Sequence, residues 1–268
     1  MAENKKGAAS AGPPQVGVPE VSVVVPAKDE ADNLAFLIGE IETALGDRSF
    51  EVIVVNDGSS DGTDKLLRDM ASERPWLRSA RHASACGQSA SVRTGLLMAH
   101  GDVVVTIDGD GQNDPAYIPD LLKALDDAPA EVGLAAGQRV GRKDTTFKRL
   151  ASRIANKVRG AILRDGTRDS GCGLKAVKRD VFLRLPYFDS WHRFIPALVI
   201  REGARIVHVD VVDRPRRHGS SKYGIWDRFW VGLWDLTGVW WLRKRRRKVP
   251  QIVEILNGDT AGDNGHSA

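Results

Sequence analysis

Val103-Val-Val-Thr-Ile107-Asp108-Gly109-Asp110-Gly111-Gln112 decides the fold class. Its first half is a short β-branched run with no polar alternation, the pattern of a strand buried on both faces of a parallel sheet. Its second half sets two carboxylates and an amide oxygen two residues apart. The intervening glycines let the backbone turn so that these oxygens converge. Hard cations such as Mg²⁺ or Mn²⁺ prefer oxygen ligands and keep places open for substrate phosphates. A calcium EF-hand loop is the nearest rival, but it requires glycine at its sixth position and a bidentate Glu at its twelfth. Asn113 and Pro119 stand there. A solvated Asp-Gly turn is the plainer alternative.

The same punctuation recurs on the N-terminal side. Val21 to Val25 is a second β-branched run, ended by Pro26, and Val52 to Val55 is a third, ended by Asn56-Asp57-Gly58-Ser59. Between them, Leu34, Leu37, Ile38, Ile41 and Leu45 fall on one face of a helix predicted over 31–45. Asp61 is placed to cap a helix through Leu66, Leu67 and Met70, and a third helix is predicted over 90–99. Strand and helix alternate, so the fold class is α/β, a mostly parallel sheet flanked by helices. Ligands in such sheets bind at the carboxyl ends of the strands. Lys28-Asp29-Glu30, Asn56-Asp57 and Asp108-Gly-Asp110 all fall at that edge. Beyond it, strands are predicted over 132–136 and 205–212 and a helix over 146–163.

The chain has 268 residues, 42% of them apolar, enough for one α/β domain with a continuous core. The division expected is a loose arm over 1–19, the domain over 20–223, a Trp-rich helix with a basic run over 224–248, and a tail over 249–268. The arm lacks the apolar stretch of a signal peptide. Cys86 and Cys172 have no C-x-x-C spacing, which argues against zinc and for reduced thiols in the core or a pocket wall.

The net charge of +4 is unevenly placed, because 243–248 is an unbroken run of six Arg and Lys residues. Before it, Trp226, Trp230, Leu233, Trp234, Thr237 and Trp241 recur at three- and four-residue spacing, interrupted by Asp227 and Asp235. That segment is barely long enough to span a bilayer, and its charges oppose spanning. An amphipathic helix lying at an anionic membrane surface fits it, with Trp anchors and the basic run behind; a helix packed on the core is the alternative. Nucleic acid is disfavoured, since no aromatic residue interleaves the basic run.

Pro26-Ala-Lys28-Asp-Glu30, Val55-Asn-Asp57-Gly-Ser, Asp108-x-Asp110-x-Gln112 and Gly219-Ser-Ser-Lys222 resemble, in order, the landmarks of family 2 glycosyltransferases with the GT-A fold. Within that family the chain is most similar to the dolichol-phosphate mannose synthase-like branch, over about residues 20–223. The resemblance implies a metal-dependent, inverting transfer from a nucleoside diphosphate sugar, a GDP- or UDP-sugar, to a polyprenyl phosphate. It implies a peripheral enzyme on the cytoplasmic side of a membrane.

Carried over residue by residue, Asp108, Asp110 and Gln112 hold Mg²⁺ or Mn²⁺. Pro26, Lys28, Glu30, Val55, Asp57 and Gly109 frame the donor nucleotide, although an aromatic residue is more usual at Lys28. Arg216 and Lys222 meet the diphosphate, with Arg214 and Arg217 beside them as substitutes or solvated charges, and Asp110, Arg216 and Lys222 carry the catalysis. Arg139, Arg168 and Cys172 grip the acceptor phosphate, with Cys172 where the family has Ser; surface charge is the other reading of the two arginines. Asp169 is placed to hold Arg168 or to touch the donor.

A sugar hydroxyl acceptor needs a general base, whereas a lipid phosphate is already anionic at neutral pH. Asp189 is the carboxylate placed to be such a base, and His192 is a second candidate. Asp189 is also placed to cap a helix over 191–202. Transfer to a saccharide hydroxyl through Asp189, and a non-catalytic sugar-nucleotide-binding protein at the membrane surface, remain as alternatives.

Overall fold

The computed structural model describes residues 17–140, 159–215 and 225–245, with side-chain surroundings given for 232 and 234–245 of the last stretch. The arm before residue 17, the tail after 245, Arg216, Arg217, Lys222, the greater part of the helix predicted over 146–163, and the side chains of Trp226, Trp230 and Leu233 lie outside it. Residues 159–163 are helical.

The first three β-branched runs form β1 (Val21–Ala27), β2 (Phe50–Asn56) and β4 (Val103–Thr106). They alternate with α1 (Ala31–Leu45), α2 (Thr63–Glu73) and α3 (Gln88–Met98). The short β3 (Leu77–Arg81) follows α2. After β4 come α4 (Ile118–Asp126), β5 (Val132–Arg139), β6 (Lys175–Lys178), α5 (Arg179–Arg184), α6 (Ile195–Arg201), β7 (Arg205–Val211) and α7 (Ile225–Lys244). The seven strands order as β3-β2-β1-β4-β6-β5-β7. β6 alone runs antiparallel to its neighbours. Its first residue, Lys175, pairs with Thr106 of β4 and Ala136 of β5, so a strand start sits among strand ends.

Continuous apolar strands imply burial on both faces, and two cores form. Val23 and Val25 of β1 and Val52 and Val54 of β2 pack with Leu34, Leu37, Ile38 and Ile41 of α1 and Leu121 and Leu122 of α4. Val24, Ile53 and Val55 face the other way, towards Val92 and Leu96 of α3, Phe182 of α5 and Leu198 of α6. Residues that alternate along one strand therefore serve different helix layers.

Asp61 does more than cap α2. One carboxylate oxygen accepts from the Thr63 N–H at 3.0 Å, and the other accepts from Ala31 N–H at the start of α1 at 3.1 Å. The helix expected from Trp191 is broken. A 3-10 turn covers Trp191–Arg193, α6 begins at Ile195, and neither start has a side-chain cap. Asp189 is exposed and caps nothing; Pro196 in the first turn of α6 explains the break, because its ring fits only near a helix N-terminus.

α7 packs on the core along one face, as the second reading of the Trp stripe expects, and leaves other side chains exposed. Leu236 and Val239 enter the second core, and burying each contributes roughly 1.5–3 kcal/mol. Arg201 donates through Nε to the Leu242 carbonyl at 3.2 Å, tying α6 to α7. Trp234 and Trp241, members of the predicted stripe, stay 76% and 53% exposed. Lys244 lies over the Trp240 ring at 4.5 Å and Arg245 over Trp241 at 5.6 Å. No helix among the described residues is long and apolar enough to cross a membrane.

Candidate active site

The carboxyl edge of the sheet gathers the ends of β1, β2, β4, β5 and β7 and the start of β6. Asp108 leaves β4 into a loop folded on itself. The Asp108 N–H donates to Asn113 Oδ1 at 3.3 Å, and the Gln112 N–H donates to Asp110 Oδ1 at 3.1 Å. Gly109 allows the loop to pass β1, since a Cβ there would stand 2.8 Å from the Pro26 carbonyl oxygen. Gly173 abuts the Asp108 carboxylate so closely that any side chain would overlap it. Burial, then the neighbouring Asp110, raises the Asp108 carboxyl to about 6; Lys175 and Arg139 oppose this and Asp213 adds to it. Gln88, the first residue of α3, donates its amide to Asp108 Oδ1 at 2.7 Å.

At the end of β2, Val55 is wholly buried and Asp57 turns into a polar cradle. Asp57 Oδ1 accepts from the Cys86 N–H at 2.8 Å and pairs with His82 Nδ1 at 2.7 Å; Oδ2 accepts from the Gly87 N–H at 2.7 Å. Burial alone would raise its pKa, but these bonds outweigh burial and hold the carboxyl below its usual range. Through the Gly87 N–H, Asp57 also braces the start of α3. Lys28 Nζ reaches the Asp57 carbonyl at 3.5 Å, and Glu30 Oε2 accepts from the Asn33 amide at 2.6 Å where α1 begins.

Cys86 is exposed, whereas a core or pocket-wall thiol was expected; the loop presents its N–H inward to Asp57 and leaves the side chain outside. Among the described residues Asp57, His82 and Cys86 are the group whose ligand atoms all lie within 4.8 Å of one another. The chain spacing of Cys86 gave no hint of that convergence.

Arg139, at the end of β5, is clamped. Its Nε and an Nη donate to the two Asp169 oxygens at 2.6 and 2.9 Å, and its other Nη donates to Asp213 Oδ2 at 3.2 Å. Burial works against the cation, but the two carboxylates more than compensate and raise its pKa. Asp169 therefore holds Arg139, not Arg168. Arg168 turns outward to the Gln138 side chain at 2.7 Å and Asp210 at 3.4 Å, with 77% of its side chain exposed. Cys172 is buried, and burial pushes its thiol up.

Arg214 is not solvated: its fork grips Glu40 at 2.6 and 2.7 Å. Its N–H donates to the Gln112 carbonyl at 2.8 Å, holding the chain beside the acidic loop two residues before Arg216.

A cleft of 540 Å³ opens beside Asp108, with Pro26, Gln88, Thr106 and Cys172 along it. Lys175, His192 and Arg193 line it too. His192 Nδ1 lies 2.7 Å from Ser89 Oγ, and burial, then Arg193 and Lys175, lowers its pKa to about 3. Among the described residues lining the cleft Asp108 is the one carboxylate, and Asp189 is not among them. Gln88, Lys175, Arg193 and Asp213 carry no local motif, and the sequence reading passed over them. The available signals were Gln88 at a glycine-led helix start and Asp213 just past a strand end.

The family model described as glycosyl transferase family 2 matches residues 22–185. The dodecaprenyl-phosphate galacturonate synthase of Rhizobium johnstonii is 34% identical over 234 residues, covering 85% of this chain and 69% of that one. The undecaprenyl-phosphate 4-deoxy-4-formamido-L-arabinose transferase of Edwardsiella ictaluri is 34% identical over 209 residues, covering 76% of this chain and 63% of that one. The chain thus spans about two thirds of the length of these relatives. Glucosyl-3-phosphoglycerate synthase from Mycobacterium tuberculosis, solved with Mn²⁺, UDP and glucosyl-3-phosphoglycerate, superposes with a TM-score of 0.62 at 21% identity. The superposition covers 84% of this chain and 80% of that one, a likeness of fold.

Proposed function

The chain belongs to glycosyl transferase family 2, and from that premise we propose that it transfers a sugar from a nucleoside diphosphate sugar to the phosphate of a polyprenyl phosphate lipid. Both relatives described above are named for transfer to a polyprenyl phosphate. The observation that carries the choice of acceptor is the cleft beside Asp108: among the described residues it is lined by Lys175 and Arg193 and, apart from Asp108 of the metal loop, by no carboxylate. A hydroxyl acceptor has to lose a proton as it attacks. His192, lowered to about 3, is too weak a base, and exposed Asp189 is not in the cleft. An anionic phosphate needs only to be held in line with the anomeric carbon.

A divalent cation suits the acidic loop. Asp108 is raised because burial and Asp110 disfavour its charge, and a cation relieves both penalties. Asp108, Asp110 and Gln112 would hold Mg²⁺ or Mn²⁺; when bound, it would neutralise the departing diphosphate. A neighbour of the same fold was solved with Mn²⁺ and UDP. Pro26, Lys28, Glu30, Asp57 and Gly109 are assigned to the nucleotide, with Asp57 kept ionised to accept an N–H from the base. Arg216 and Lys222 follow the segment that Arg214 anchors beside Gln112, and they are assigned to the diphosphate.

The exposed Trp234 and Trp241 and the basic run after them suit peripheral attachment to the anionic, cytoplasmic face of a membrane. The deciding experiment supplies undecaprenyl phosphate, Mn²⁺ and either UDP- or GDP-sugars, and follows the glycolipid by mass spectrometry. Formation of an acid-labile polyprenyl phosphate sugar, lost in Asp110→Ala, is the expected result. Transfer to a saccharide hydroxyl, or activity independent of metal, would sink the reading.

A further inference from the structure

Lys175 is only 4% exposed, yet it lines the open cleft beside Asp108. Its Nζ donates to the Cys172 carbonyl, and among the described residues it forms no ion pair with a carboxylate. Lysine offers three donors and loses much hydration when buried, so such a cation is normally matched by an anion. Burial, the leading cause, does lower its pKa. The topology explains the placement. β6 is the antiparallel strand, so its first residue stands at the edge where its neighbours end, beside Thr106. The arginines that might have filled this role are engaged elsewhere, Arg139 with Asp169 and Asp213, Arg168 with Gln138 and Asp210.

We propose that Lys175, with Arg193 and Ser170 in the same lining, forms an oxyanion subsite in the substrate cleft. The subsite rests on the transferase reading and refines it by assigning the charge that receives a substrate anion. That anion is an oxyanion of one of two sources: the phosphate of the acceptor, or a carboxylate carried by the donor sugar. Lys175 meets it as a point charge, Arg193 as a guanidinium fork, and Ser170 as a hydroxyl donor, all three lining the same cleft. The neutral His192 adds no competing proton acceptor of consequence.

The test titrates the full chain, with Mg²⁺ present, against a short-chain prenyl monophosphate and separately against free galacturonate, by calorimetry. The expected result is saturable binding of one probe by the wild type and about tenfold or more weaker binding by Lys175→Met, with Lys175→Arg largely restored. Dependence seen with the prenyl phosphate assigns the acceptor as the source; dependence seen with the uronate assigns the sugar. Equal binding by wild type and a folded Lys175→Met, or no binding of either probe by wild type, overturns the proposal. Should Lys175→Met not fold, Arg193→Met makes the same comparison, and undiminished binding by it overturns the proposal equally. These titrations need no turnover. A chain that binds prenyl phosphate through Lys175 yet transfers no sugar defeats the transferase reading and leaves the subsite standing.

Discussion

The Gln88 side-chain amide donates to Asp108 Oδ1 at 2.7 Å, joining the start of α3 to the acidic loop after β4. It fixes the orientation of a carboxylate that Gly173 already confines from the opposite side. Partners of this kind orient a metal ligand, and their loss typically weakens metal binding about 10- to 100-fold. Gln88→Leu keeps the bulk and removes the donor. Its Mn²⁺ affinity, measured by calorimetry, is expected to fall within that range while the thermal transition hardly moves. Unchanged affinity would leave Gln88 without a role at the metal loop.

Asp108 also sets a pH dependence of known sign. Its folded pKa of about 6 lies above the model-peptide 3.8, so the folded chain favours the protonated form. The stability this group contributes is greatest at low pH, declines as pH rises from 3.8 towards 6, and is absent above. The full difference is worth roughly 3 kcal/mol at 1.36 kcal/mol per unit. Asp108→Asn is therefore expected to raise the melting temperature of the metal-free protein at pH 8, with no gain at pH 3.5, while abolishing metal-dependent activity. In the wild type, protons compete with metal below about pH 6, so apparent Mn²⁺ affinity should fall about tenfold per pH unit there. A pH-independent affinity between pH 4 and 6 would contradict the shift.

The strands and helices on the N-terminal side were legible because β-branched runs and a 3.6-residue period report burial directly. β1, α1, β2 and β4 follow the apolar pattern, and Asp57 and Asp108 stand where expected, in the loops after parallel strands. β3 was not anticipated: Leu77-Arg-Ser-Ala-Arg81 is an edge strand with one wholly buried residue, so it carries little apolar signal. β6 was missed for a related reason. Lys175-Ala-Val-Lys178 is four residues long and is made a strand by pairing with β4 and β5, not by its own composition. The pairing of Arg139 with Asp169 and Asp213 spans 30 and 74 residues of sequence, and no local pattern encodes it.

That Arg139 cluster predicts a stability effect. Arg139 and Asp169 are both largely buried, with side-chain exposures of 16% and 15%, and they share a bidentate contact. Removing one partner of a buried pair typically costs about 3–5 kcal/mol, because the other charge is left uncompensated. Asp169→Ala is expected to lower stability in urea at pH 7 by about 3 kcal/mol, the low end because Asp213 still pairs with Arg139. The hydrogen bonds from Arg139 outweigh burial and hold the Asp169 carboxyl below its usual range. The wild type should thus lose this contribution as pH falls below the ordinary carboxylate range, and Asp169→Ala should show a flatter acid limb. Equal acid sensitivity of the two proteins would show that the pair contributes nothing to the fold.

The outward face of α7 makes a separable prediction. Trp234 and Trp241 are exposed, while Leu236 and Val239 hold the helix to the core, so the two faces can be altered independently. Trp234→Ser with Trp241→Ser is expected to leave the melting temperature within a degree or two, since surface changes usually shift stability by about 0.5 kcal/mol or less. Flotation with vesicles containing anionic lipid should fall steeply, because each Trp withdrawn from the interface forfeits roughly 1.5–3 kcal/mol of apolar burial. Raising the salt should weaken wild-type binding further, as the basic run 243–248 is screened over about 10 Å at 0.1 M. Transfer to a water-soluble short-chain acceptor should survive the double substitution, while transfer to a long-chain acceptor in vesicles should not. Parallel loss of both would mean that α7 supports the catalytic fold rather than the membrane encounter.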